Sequence, residues 1–302
     1  MVGFAVYEKR YAPHPLIPFY LLKNKDVIGC LLIALFHPMS GRIVNGYFYT
    51  FLLVARDESY LSASRLTSIP SFSATIVAII GAILVRHFRR LKPALILGFT
   101  VQTLAYGLMI RFRQSTNSRA EIIIVQILKG FGIGLISFPA QAVIQSACAH
   151  EHLAAVTATY LIVFYLTVSL APLRPAVAHV QSGIGTAIGG AIWTNVVPRK
   201  IDQYFAPINA TLGLQAYRDP ITFAKVEWPM GTPERAAIAR AQDEAQRIIV
   251  IVGTCVCALG LISTIFFISN IRLPDTQSIE ENERQAEELA NEKAGKTVVN
   301  KL

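Results

Sequence analysis

Six apolar runs dominate the chain and leave few folds open to it. They lie near residues 27–55, 68–86, 93–112, 121–148, 153–196 and 247–270. A helix needs about 20 mostly apolar residues to cross the hydrocarbon core of a bilayer. No Asp or Glu falls inside a run, since Glu121 and Glu151 sit at run ends. Irregular backbone in hydrocarbon would leave peptide groups unsatisfied, so the runs should be helical. The expected fold is therefore an all-α, six-helix transmembrane bundle. Composition agrees: charged residues make up only 16% of the 302, against roughly a quarter in soluble proteins. That depletion excludes both a soluble enzyme and a disordered chain.

The flanks organise around the runs. Residues 1–26 are polar and punctuated by Pro13, Pro15 and Pro18, which disfavour helix. The bundle is expected over 27–270, with 197–246 as a long outer loop. In that loop Pro233 followed by Glu234-Arg235 reads as a helix start that runs into the last span. The tail, 271–302, carries Glu280, Glu281, Glu283, Glu287 and Glu288 and reads as a solvated acidic end. The first apolar run begins only near Val27, so no cleavable signal peptide is expected. Cys30, Cys148, Cys255 and Cys257 lie in or beside apolar runs. Neither a disulfide framework nor a zinc site is expected from them, and no other metal or cofactor motif stands out.

The net charge of +9 raises nucleic acid as a partner, but the basic residues sit in short clusters between apolar runs. Arg86, Arg89, Arg90 and Lys92 fill the loop after the second run, while Lys9, Arg10, Lys23 and Lys25 precede the first. The broad basic face that nucleic-acid recognition requires is missing. The positive-inside rule instead places the N-terminal segment, the 86–92 loop and the acidic tail in the cytoplasm. Residues 197–246 then lie outside, where Asn209-Ala210-Thr211 is a candidate glycosylation acceptor.

Seven stretches carry a family resemblance in their order and spacing. They are Pro13-His14-Pro15-Leu16-Ile17-Pro18, Gly46-Tyr47-Phe48-Tyr49-Thr50, Arg89-Arg90-Leu91-Lys92-Pro93, Lys129-Gly130-Phe131-Gly132, His150-Glu151-His152, Gly190-Ala191-Ile192-Trp193-Thr194, and Trp228-Pro229-Met230-Gly231-Thr232-Pro233-Glu234-Arg235. Together they resemble the C-terminal half of fungal siderophore–iron transporters of the major facilitator superfamily. The resemblance implies proton-coupled uptake of a ferric siderophore by alternating access across a plasma membrane, with vacuolar and vesicular membranes as alternatives. It also implies a missing N-terminal bundle, so that this chain would be a half-transporter, inactive alone. A drug or other solute carrier of the same superfamily, and a non-transporting binding or regulatory membrane protein, remain open. No catalytic constellation points to an enzyme.

The fifth run departs from the family pattern. Residues 168–181 carry Pro172, Arg174, Pro175 and His179, which are costly in mid-membrane. Joining Thr167 to Ser182 would restore one continuous span of ordinary length. Two readings stand: a retained intron in the gene, or a broken helix lining a cavity.

Polar residues inside spans are the functional candidates. Arg42, Asn45, Tyr47 and Tyr49 in the first span, and Lys129, Gln141 and Gln145 in the fourth, can hydrogen-bond an oxygen-rich chelate. If helical, Arg42, Asn45 and Tyr49 share a face. The competing readings are an interfacial aromatic belt for the tyrosines and interhelical hydrogen bonds for the glutamines. His37 beside Pro38 and Gln102 read as structural. Gly130/Gly134 and Gly185/Gly189 read as close helix packing rather than a phosphate loop. Tyr217, Phe223 and Trp228 in the outer loop are gate candidates, against an ordinary folded cap. The 86–92 cluster is either a facilitator-type loop motif or a topology signal that touches anionic lipid head groups. Because no carboxylate lies inside a span, a proton-coupling group is expected in the missing half. The expected partners are thus ferric siderophore, protons, the lipid bilayer and that bundle.

Overall fold

A computed structural model describes residues 23–148, 153–168, 183–208, 213–223 and 228–270. Asn209, the acidic tail and most of the 168–181 insert lie outside the described residues. Among the described residues the protein is all helix. In chain order the helices are α1 (Lys25–Asn45), α2 (Phe48–Val54), α3 (Tyr60–Phe88), α4 (Leu91–Phe112), α5 (Arg119–Ser146), α6 (Leu153–Val168), α7 (Ile184–Phe205), α8 (Gly213–Arg218), α9 (Pro220–Thr222) and α10 (Pro233–Phe267).

Local chemistry sets the boundaries. Ser118 and Glu121 form a reciprocal capping box that opens α5. Thr232 caps α10, with Pro233 in the first turn, as the sequence suggests. Helix α3 stops where Arg89 turns left-handed (φ 56°). The first span is less regular than expected. Helix α1 ends at Asn45, Tyr47 takes a left-handed conformation (φ 57°), and α2 restarts at Phe48. The break frees carbonyls that other helices then satisfy: Val44 O accepts from Arg113 Nη1 at 2.7 Å and Gly46 O from Gln246 Nε2 at 3.4 Å.

Five segments are long and apolar enough to cross a membrane: α1 with α2, α3, α4, α5 and α10. The fifth run, 153–196, carries two described helices, α6 and α7. Apolar helix α6 leans on the first part of α1, where Val156 and Tyr160 join the core of Val27, Cys30 and Ile144. Helix α7 takes over farther along. A Cβ on its Gly185 would stand 2.7 Å from Met39 O, and Gly189 faces Ile43. The two pieces thus occupy successive stretches of α1.

The exterior is apolar where a soluble protein's would be polar. Helix α3 buries Leu66, Pro70, Ser73, Val77 and Gly81 on one face, and exposes Phe72 (72%), Ile79 and Ile83 on the other. Those side chains suit hydrocarbon, and the protein is an integral membrane protein. Inside, glycines let helices meet. A Cβ on Gly130 would fall 1.9 Å from Ser73 Oγ, and one on Gly134 2.5 Å from Ala74 O, which seats α3 on α5. Gly132 faces the α4 backbone at Gln102 in the same way. The glycine run is a packing seam.

The two ends of the bundle differ. One carries the starts of α1 and α4 and the ends of α3, α5 and α10, with Arg86, Arg89, Arg90 and Lys92; it is called the basic end below. The other, the loop end, carries a cap. At 35 residues, α10 is about 50 Å long and overshoots a hydrocarbon core of about 30 Å. Its first turns pack with the end of α7, with α8 and with Phe223. Val197, Ile201, Phe205, Ala237, Ile238 and Ala241 form the cap's core.

Candidate functional site

Helices α1, α4 and α5 enclose a chain of polar side chains within the membrane-spanning bundle. His37 Nδ1 lies 3.1 Å from Gln102 Oε1, and Gln102 Nε2 donates to the Tyr106 hydroxyl at 2.8 Å. The i,i+4 spacing of Gln102 and Tyr106 on α4 stacks them on one face. Toward the loop end, Lys129 Nζ of α5 donates to Asn45 Oδ1 at 2.5 Å and sits 5.9 Å from the Tyr106 ring centre. Arg113 closes the row. Its guanidinium lies 3.8 Å over the Phe48 ring while Nη1 holds Val44 O.

Two cations are therefore buried together: Lys129 is 0% exposed and Arg113 3%. Among the described residues neither has a carboxylate partner, and Arg113 Nε and Nη2 have no hydrogen-bond acceptor. A buried ammonium or guanidinium without a counter-ion is costly. Neutral acceptors and aromatic faces offset that cost only in part. Chemically, the site offers positive charge and hydrogen-bond donors to an oxygen-rich ligand.

The sequence-derived candidates fall in different places. Arg42 and Asn45 are exposed on α1, with Arg42 Cβ against α7 at Gly185. Tyr49 belongs to α2 because the helix breaks, so the continuous face expected of Arg42, Asn45 and Tyr49 is interrupted at Gly46. Tyr47 stacks flat on Trp193, with ring centres 4.7 Å apart and planes at 3°. Lys129 joins Asn45. Gln141 and Gln145 stand apart, about 18 Å or more from Lys129 along α5, toward the basic end. Tyr217, Phe223 and Trp228 pack in the cap, where Phe223 and Trp228 lie 6.0 Å apart. Arg86, Arg89, Arg90 and Lys92 ring the basic end, and Lys92 Nζ donates to Ile265 O at 3.0 Å. Among the described residues no three His, Cys, Asp or Glu side chains converge as a metal site, and the four cysteines are free.

Sequence reasoning missed Tyr106 and Arg113 and set Gln102 and His37 aside as structural. The four-residue spacing from Gln102 to Tyr106 was available as a signal. Nothing in the sequence marks Arg113, which follows an apolar run like any loop arginine.

A second polar network ties the loop end shut. Arg56 Nη1 donates to the carbonyls of Gln114, Ser115 and Asn117 at 3.0, 3.1 and 2.7 Å. Burial pulls this guanidinium below its ordinary pKa, while Glu58 and Asp243 act the other way. Ser115 N and Oγ both donate to Asp243, at 2.7 and 2.5 Å. Arg235 pairs with Asp57 at 3.2 Å and Arg119 with Glu58 at 3.7 Å. These contacts join the α2–α3 linker, the α4–α5 turn and α10.

Comparison with known proteins agrees with this architecture. Siderophore iron transporter 1 of Saccharomyces cerevisiae is 34% identical over 282 residues, 93% of this chain and 42% of its own length. MFS siderochrome iron transporter 1 of Ajellomyces capsulatus is 34% identical over 283 residues, 92% of this chain and 45% of its own. The chain spans less than half the length of these curated relatives. No family model matches.

Proposed function

We propose that this chain, a membrane protein that resembles the C-terminal half of fungal siderophore–iron transporters along nearly its whole length, serves in the uptake of ferric siderophores. The similarity to proteins named for that transport carries the reading. The polar row on α1, α4 and α5 supplies suitable chemistry. Lys129 and Arg113 offer positive charge, and Asn45, Tyr106 and Arg42 can hydrogen-bond the oxygens of an iron chelate. The iron travels as cargo inside the chelate, so protein metal ligands are not needed.

In this reading transport runs by alternating access, with the path shared between this bundle and a second one. The polar row then lies beside the path, and the charge it lacks comes from the substrate or the facing bundle. Proton coupling would fall to carboxylates of that second bundle, since the apolar runs here hold none. The basic end faces the cytoplasm by the positive-inside rule, and the plasma membrane is the proposed location.

The test is uptake of labelled ferric siderophore in yeast that lacks its own carriers. The 302-residue chain alone should give background uptake, and a fusion to the first half of a homologous transporter should raise it about tenfold or more. Uptake by the chain alone would refute the half-transporter reading. Failure of a correctly folded fusion with every ferric siderophore offered would refute the transport reading. Collapse of the proton gradient should abolish the fusion's uptake, and indifference to it would remove proton coupling.

A further inference from the structure

We infer that the groove between α3 and α4 at the basic end is a binding site for one anionic phospholipid. Helices α3 and α4 pack on two sides of α5 and scarcely touch one another. Between them is a groove of about 380 Å³ floored by Leu135 of α5 and walled by Gly81, Leu84, Phe88, Ala94 and Leu97. The lining is apolar except at its mouth, where Arg90 stands. Gly81 keeps the floor low: a Cβ there would stand 3.3 Å from Leu135 Cδ2. From Gly81 to Phe88 the groove runs about 10 Å along α3, parallel to the bundle axis and so along an acyl chain.

The charge at the mouth selects the head group. Arg86 and Arg90 are exposed, with Arg89 and Lys92 beside them. No Asp or Glu occurs in the 62 residues between Glu58 and Glu121, so neither α3 nor the start of α4 supplies a counter-charge. The guanidinium fork matches a phosphate in two hydrogen bonds, and a basic pocket between spans at a charged membrane face suits anionic head groups. Each part selects a different half of one molecule: the groove takes a chain, and the mouth takes a phosphate that carries net negative charge. A zwitterionic lipid would fill the groove without answering the charge.

The test is native mass spectrometry of the full 302-residue chain in detergent, titrated separately with phosphatidylserine and phosphatidylcholine. Phosphatidylserine should be retained about fivefold better, the factor expected for one cation near a membrane surface. Arg90→Gln should remove that preference. Leu97→Trp, a change at an exposed position that fills the groove, should lower retention of both lipids about fivefold. Arg111→Gln, which removes an exposed cation at the loop end, should change nothing. Equal retention of the two lipids would overturn the proposal. Loss with Leu97→Trp but not with Arg90→Gln would also overturn it, because the groove would then hold chains without reading charge. Displacement of phosphatidylserine by inorganic phosphate alone would do the same, because the groove would not be contributing.

Discussion

Buried and half-buried cations occur in two regions of the bundle, and the two regions treat them differently. At the loop end Arg56 meets three backbone carbonyls and Arg235 meets Asp57. In the interior Lys129 meets one amide oxygen and Arg113 one carbonyl and an aromatic face. The first arrangement closes on itself and joins linker, turn and helix into one piece. The second leaves donor capacity unused in a place where unused capacity is costly. The loop-end contacts act as structure, although Arg56 Nε and Asn117 Oδ1 also stay without a hydrogen-bond partner there; the interior pair, with no carboxylate beside it, keeps affinity for something brought from elsewhere, which is how the proposed transport site uses it.

Removing a loop-end cation should have the largest effect on stability. Arg56→Met deletes three charge-assisted contacts and strands the carbonyls of the α4–α5 turn. It should cost about 3 kcal/mol, visible as a lower unfolding temperature of the detergent-solubilised protein. An unchanged temperature would erase the contrast between the regions. Lys129→Met should do the opposite. A buried charge without a counter-ion is costly, so an apolar replacement should not lower stability. Thermal unfolding should therefore hold or rise, while siderophore uptake by the fusion falls about tenfold, equal to about 1.4 kcal/mol of lost binding or transition-state stabilisation. A destabilised Lys129→Met protein would show that the lysine is structural after all. Arg119→Gln sharpens the comparison at its weak limit. Its pair with Glu58 is more than half exposed on the arginine side, and surface pairs contribute little. It should change stability by less than about 1 kcal/mol, and a larger loss would show that the network acts as a unit.

Much of the bundle is legible in the sequence because hydrocarbon imposes a simple rule. The runs 93–112 and 121–148 correspond to α4 and α5 within two residues, and 68–86 lies inside α3, which begins eight residues earlier at Tyr60. Pro233 starts the last helix as the proline and the following Glu234-Arg235 suggest. The break at Gly46 and Tyr47 was not legible, because what permits it is remote: Arg113 and Gln246 satisfy carbonyls that a continuous helix would have used. The same holds for the polar row. Lys129 and Asn45 are separated by 84 positions and Arg113 and Val44 by 69. No local pattern joins them, and only the packing of α5 on its neighbours brings them together.

Sequence alone therefore determined that the chain is a helical membrane bundle, where most of its spans lie, and which transporters it resembles. Those conclusions follow from the cost of exposing peptide groups and charges to hydrocarbon, which every span must meet within its own residues. Tertiary structure decided which polar groups are answered and which are left wanting. That depends on helices that glycines such as Gly130 and Gly132 allow to approach within contact, and on side chains that reach one another only after that approach.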